Sequence, residues 1–171
     1  MPVYRLNHIV LYVSDARRTA GFYHEVLGFR TVHEVGAGTA YFMRAPGSSN
    51  DHDLGLFEMG KGAGPPTAGG STVGMYHMAW EVDTLDELER IAGLLAERGA
   101  LVGASDHGTT KALYAKDPDG LELEVCWLLP AAAITESDRT LSVRPLDLDK
   151  ERARFGGSTL GGVGVSRSVP A

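Results

Sequence analysis

A single cysteine in 171 residues leaves no internal disulfide to form, and it fits a reducing compartment. Long apolar runs are also missing: none approaches the roughly 20 residues that a membrane-spanning helix needs. Basic residues are outnumbered, 16 lysines and arginines against 22 acids, and the net charge of −6 argues against a nucleic-acid surface. The N-terminus, MPVYRLNHIVLYV, enters a strand pattern at once, without the charged, apolar and small-residue order of a signal peptide. A cytoplasmic location, with neither nucleic acid nor membrane as partner, is the expectation. What is present is ordinary for a globular protein: 43% hydrophobic and 22% charged residues, enough for one well-buried domain or two small fused modules.

The pattern along the chain predicts a tandem order. Leu6 to Val13 is rich in β-formers and ends at Ser14-Asp15, a helix N-cap pair. A helix from Ala16 to Leu27 follows, with Ala16, Ala20, Tyr23 and Leu27 on one stripe and Gly28 as its stop. Strands are predicted over Phe29 to Val35, Ala40 to Arg44 and Asp53 to Met59. The Gly- and Pro-rich stretch GKGAGPPTAGGST then reads as a linker. The order repeats with a strand from Met75 to Val82, an N-cap at Thr84, a helix from Leu85 to Arg98, and strands over Leu101 to Ser105, Lys111 to Lys116 and Leu121 to Trp127. The expected class is α+β, built from βαβββ modules at 4–59 and 74–129 joined by a linker at 60–73. The extension 131–171 should hold one short docking helix within Pro145 to Phe155 and a loose Gly/Ser-rich end from Gly156.

The stretch His107 to Cys126 poses the functional question. Asp117-Pro118-Asp119-Gly120 supplies a tight turn between two alternating strands, so it turns the chain and aims Glu124. On the second strand Leu121, Leu123 and Val125 share a packed face, and Glu122, Glu124 and Cys126 share the other. Those carboxylates meet either water or a lined cavity.

The repeat bears on that choice. Pairing the two first strands sets His8 against His77, 69 positions on, and keeps Val13 in register with Val82. The same offset sets Gly55 against Glu124. Four related positions thus hold His, His, Glu and Gly, a facial triad with one corner vacant. Two histidines and one carboxylate with open positions suit non-heme Fe(II), and zinc or manganese accept the same donors. One residue of slippage between the later strands would bring Glu58 closer to the set without reaching it.

With these motifs in view, the chain resembles the vicinal oxygen chelate superfamily, the glyoxalase, bleomycin-resistance and extradiol dioxygenase group. LNHIVLYVSD, GFYHEVLGF, MYHMAWEVD and LYAKDPDGLELEV carry the likeness, from about Tyr4 to Leu129. The resemblance implies modules bent into a cup-shaped mixed sheet around one metal, with His8, His77 and Glu124 on the ligand positions. Glyoxalase I-like members place a fourth protein ligand where this chain has Gly55. Its loss leaves room for a catecholate and dioxygen, as in the single-domain catechol 2,3-dioxygenase-like branch. His52-Asp53-Leu54-Gly55-Leu56 matches the stretch whose histidine acts there as acid and base. Asp106-His107-Gly108 matches the segment with a further active-site histidine, and Tyr114 stands where a tyrosine meets the substrate oxygen.

The implied activity is Fe(II)-dependent extradiol cleavage of a catechol-like aromatic by dioxygen, with His52, His107 and Tyr114 as catalytic residues and a homodimer as the assembly. Two other readings stay open. A glyoxalase- or epimerase-like lyase or isomerase would use the same ligands with Zn, Ni, Co or Mn and no oxygen. A metal-free antibiotic-binding protein would have no use for three ligands. Bland readings also stand: His52 as an exposed loop histidine, His107 as a turn residue, Tyr114 as a wall residue. Glu122 is expected at the rim, His24 and His33 in solvent, and Cys126 as a small hydrophobe in the wall.

Overall fold

Asp15 and Gly28 bracket the first helix as their chemistry requires. The Asp15 side chain accepts a hydrogen bond from the Arg18 N–H at 2.9 Å, and Gly28 takes the left-handed conformation that ends a helix, φ 73°. The computed structural model describes residues 2–3, 5–69, 71–140 and 143–162, and the chain divides into two compact units.

The first unit comprises Met1–Thr67 with Asp117–Leu121. Its elements are β1 (Ile9–Val13), α1 (Ala16–Leu27), β2 (Arg30–Val35), β3 (Ala40–Arg44) and β4 (Leu54–Glu58). They form a four-stranded sheet in the order β1-β4-β3-β2, in which β1 and β4 run parallel. Helix α1 packs on one face against β3 and β4, burying Ala16, Ala20, Tyr23 and Leu27, the predicted stripe, with Tyr41, Met43, Leu54 and Leu56. The Asp117–Leu121 turn is held here by its side chains. Asp119 accepts from Ser14 Oγ, from Arg18 Nη2 at 3.0 Å and from Thr19 Oγ1 at 3.1 Å. Asp117 Oδ1 accepts the backbone N–H groups of Asp119 and Leu121, both at 2.9 Å, and Gly120 supplies the positive φ of 84°.

The second unit comprises Ala68–Lys116 with Glu122–Ala171. Its elements are β5 (Met78–Glu81), α2 (Leu85–Glu97), β6 (Leu101–Asp106), β7 (Thr110–Lys116), β8 (Glu122–Leu128), β9 (Arg144–Pro145) and α3 (Leu148–Phe155), with 3-10 turns at Ala131–Ala133 and Glu136–Arg139. The sheet order is β5-β8-β7-β6-β9, with β5 and β8 parallel. Leu85, Leu88, Ile91 and Leu95 of α2 are buried, as are Leu113, Ala115, Leu123, Val125 and Trp127 of the sheet. Each module has its own mixed sheet, and the α+β class with tandem βαβββ order is the one predicted from the sequence.

Other boundaries differ from the predictions for local reasons. β1 starts at Ile9 rather than Leu6, because its ladder begins where Ile9 N–H reaches Asp53 C=O, just ahead of the first residue of β4. His8 and His77 each lie one residue ahead of their strand. The last helix starts at Leu148, since Arg144–Pro145 pairs with β6 instead. The segment expected to be loose from Gly156 is tied down as far as it is described: Gly161 N–H bonds Asp83 C=O, and Gly162 N–H bonds Leu128 C=O. Residues 163–171 lie outside the described residues.

The duplication extends to strand register. Ile9 pairs with Leu54 in one ladder and Met78 with Leu123 in the other, each residue 69 positions beyond its counterpart. The later strands have not slipped, so Glu124 is the counterpart of Gly55 and Glu58 is not.

Candidate functional site

Tyr114 and Glu124 alternate along their strands with the buried Leu113, Ala115, Leu123 and Val125, which puts the two on the other face of that sheet. In the second unit Tyr114 of β7 and Glu124 of β8 are cross-strand partners, and Glu124 also pairs with Ala79 of β5. His77 Nε2 stands 3.0 Å from Glu124 Oε2, with the two side chains 25% and 13% exposed, so the pair is sheltered yet reachable. Among the described residues the buried His77 Nδ1 has no hydrogen-bond partner. The Tyr114 and His77 rings meet edge to face, centroids 5.9 Å apart, and the Tyr114 hydroxyl lies 2.9 Å from His107 Nε2. Burial and then the Glu124 charge push the Tyr114 phenol above its ordinary value, so the hydroxyl keeps its proton and can donate.

In the first unit His8 and His52 come together, ring centroids 4.6 Å apart. Simple alternation would turn His52 away from Gly55. Instead β4 begins at Leu54 after a bend at Asp53, and the His52 ring meets Phe42, the cross-strand partner of Gly55, edge-on at 5.1 Å. His52 Nδ1 lies 2.9 Å from Asp51 Oδ2, an interaction that holds the Asp51 carboxyl below its ordinary value and leaves Nε2 free. His8 Nδ1 is engaged at 2.7 Å by Asn7 Oδ1, which likewise frees its Nε2. The loop carrying His52 is pinned by Asp53, which accepts from Ala45 N–H, Ser48 Oγ and Asn50 Nδ2, while the same Asn50 amide reaches Asn7 C=O at 2.9 Å. Gly55 leaves its position without a donor, and a Cβ there would press on Val10 at 3.3 Å.

Among the described residues no three His, Cys, Asp or Glu side chains are gathered to hold an ion. Within the units the candidates stand in pairs, His8 with His52 and His77 with Glu124. The second pair suits a metal: two adjacent ligands at about 2.1 Å from an octahedral ion stand about 3.0 Å apart. The Asn7 contact to His8 is of the kind that fixes the tautomer and ring orientation of a histidine. Cys126 is no competitor, since burial and then the charges of Glu124 and Glu81 push its thiol up to about 12. Glu122, half-buried, lies 3.7 Å from Lys116 Nζ. His24 and His33 are exposed.

Sequence reasoning passed over Asn7, Asn50 and Asp51, whose neighbours are common in any polar loop. It also passed over Lys111, which lies beneath the His107 turn with no exposed surface. A lysine alternating in step with Leu113 and Ala115 was the available signal.

Comparisons with known proteins give the family and the fold. Residues 5–125 match the model of the Glyoxalase/Bleomycin resistance protein/Dioxygenase superfamily. The chain is similar to biphenyl-2,3-diol 1,2-dioxygenase 3 of Rhodococcus globerulus, 32% identical over 71% of this chain and 62% of that protein. It is also similar to metapyrocatechase 2 of Cupriavidus necator, 28% identical over 68% of this chain and 34% of that one. The chain thus spans only about a third to three fifths of the length of these relatives. A glyoxylase/bleomycin resistance protein/dioxygenase domain from Frankia sp. EAN1pec shares the fold, with a TM-score of 0.61 at 21% identity over 73% of this chain and 92% of that one. Among the described residues no helix is long and apolar enough to cross a membrane.

Proposed function

Since the chain belongs to the Glyoxalase/Bleomycin resistance protein/Dioxygenase superfamily, we propose that it is an extradiol dioxygenase, opening a catechol-like ring beside its vicinal hydroxyls. The observation that carries this reading is the hydrogen-bonded pair of His107 and Tyr114 set against His77 and Glu124. A lyase or isomerase of the same fold needs the metal ligands but not that second pair.

His8, His77 and Glu124 would hold Fe(II), with Gly55 leaving a coordination position free. Fe(II) when bound would place catecholate and dioxygen side by side and relay electron density between them. His52, its Nδ1 engaged by Asp51, presents Nε2 to take the proton that the catechol loses and to return it later. Tyr114 donates from a phenol that stays protonated, and with His107 it supports negative charge growing on the substrate oxygens. The dioxygenase names of two relatives support the reading as well.

The test is anaerobic loading of the purified chain with Fe(II), followed by a panel of catechols in air. Yellow ring-opened product with matching oxygen uptake is expected. Stoichiometric Zn, Ni, Co or Mn on isolation and no oxygen uptake would favour the lyase or isomerase reading. Absence of any metal would favour a binding protein.

A further inference from the structure

Lys111 is fully buried, which is costly for an ammonium unless its partners are fixed. Its Nζ lies 2.6 Å from Asp106 Oδ1 and 3.0 Å from Glu151 Oε2, the latter as an ion pair without an aligned hydrogen bond. Asp106 Oδ2 reaches Arg144 Nη2 at 3.1 Å, and Asp106 Oδ1 also accepts the Gly108 N–H at 2.8 Å. Burial raises the Asp106 carboxyl, yet Lys111, the Gly108 N–H and Arg144 together bring it below its ordinary value. Asp106 thus caps the turn that carries His107, and its own position depends on two cations.

The same turn is covered a second way. Gly108 has φ 81°, and a Cβ there would clash with Asp138 C=O, so the backbone of the C-terminal segment lies directly on it. Asp138 is gripped by both nitrogens of the Arg154 fork, each at 2.8 Å, which holds its carboxyl well below the usual range. Glu151 and Arg154 belong to α3, and Phe155 of the same helix packs on Trp127 of β8 with centroids 5.6 Å apart. All of these C-terminal residues lie beyond residues 5–125, the part matched to the superfamily.

We infer that α3 is a positioning element for His107: Glu151 acting through Lys111 and Asp106, and Arg154 acting through Asp138, together fix the imidazole against the Tyr114 hydroxyl. An apolar residue in place of Lys111 would fill the space at less cost, but it could not hold Asp106 over the Gly108 N–H. What the buried charge supplies is direction. The catalytic meaning of His107 rests on the dioxygenase reading, whereas its placement by α3 does not.

The experiment is ring 15N–1H correlation NMR on the full chain, comparing the wild type with Glu151→Gln and Arg154→Ala. In the wild type His107 should show one tautomer, with well-separated Nδ1 and Nε2 shifts. In each variant those shifts should move toward the averaged values of a free ring, while His77 keeps its wild-type signals. Far-UV circular dichroism confirms folding. Arg154→Ala leaves the Lys111 cluster intact, so it serves if the buried substitution does not fold. Unchanged His107 signals in a folded variant would overturn the proposal. On a ring-cleaved catechol, kcat should fall about tenfold with KM unmoved, the pattern of a group acting only in the transition state. A wild type without ring-opening activity would sink the dioxygenase reading and leave the NMR comparison decisive for α3.

Discussion

At His52 one proton decides what the side chain can do. Asp51 engages Nδ1, so Nε2 is the nitrogen left to act as base. On the dioxygenase reading, replacing the ring by Gln should lower kcat for ring cleavage about 10²- to 10⁴-fold. Metal content by elemental analysis should stay at the wild-type level, which separates a proton-transfer role from a ligand role. Tyr114→Phe removes a donor without touching the His77–Glu124 pair, and a loss of about 10²- to 10³-fold in kcat is expected in steady-state assays. Asn7 gives a different signature. Its side chain orients His8 from behind, so Asn7→Ala should weaken metal binding about 10- to 100-fold in competition with a chromogenic chelator. An unchanged affinity would remove Asn7 from the site.

The elements differ in how much of them the sequence made legible. Helix α1 begins and ends where Asp15 and Gly28 say it must, because both signals act over one turn of chain. The pairing of His8 with His77 was readable for a similar reason: both modules keep the same ladder register, and a single offset survives from β1 to β4 and from β5 to β8. The side of the sheet taken by His52 turned on whether the chain bends at Asp53, and that bend is held by hydrogen bonds from Ala45, Ser48 and Asn50. The role of Lys111 was hidden more deeply, since its partner Glu151 comes 40 residues later on a helix beyond the repeat. The turn at Asp117 gives a test at this scale. Burial lifts its carboxyl to about 6, against an ordinary value near 4. A carboxyl that binds its proton more tightly when folded stabilises the fold fully at low pH, and that contribution is lost as pH rises from about 4 through about 6. Urea titrations should find this loss, on the order of 3 kcal/mol, flattened in Asp117→Asn.

For the molecule as a whole, bound metal should act as a stabilising ligand. An ion held at a free concentration 100-fold above its Kd adds about 2.7 kcal/mol, so chelation should lower Tm measurably, and adding Fe(II) or Zn back should restore it. Absence of any shift would argue that the donors do not converge on an ion. The division into units has one more consequence, in the time domain of synthesis. The first unit includes Asp117–Leu121, and Asp119 is the acceptor for Ser14, Arg18 and Thr19 at the start of α1. A ribosome that has released residues 1–67 has therefore produced a unit in which the Ser14, Arg18 and Thr19 side chains still lack this acceptor. The first module is completed only after the second has emerged as far as its last hairpin, so the N-terminal half of this chain waits for the C-terminal half.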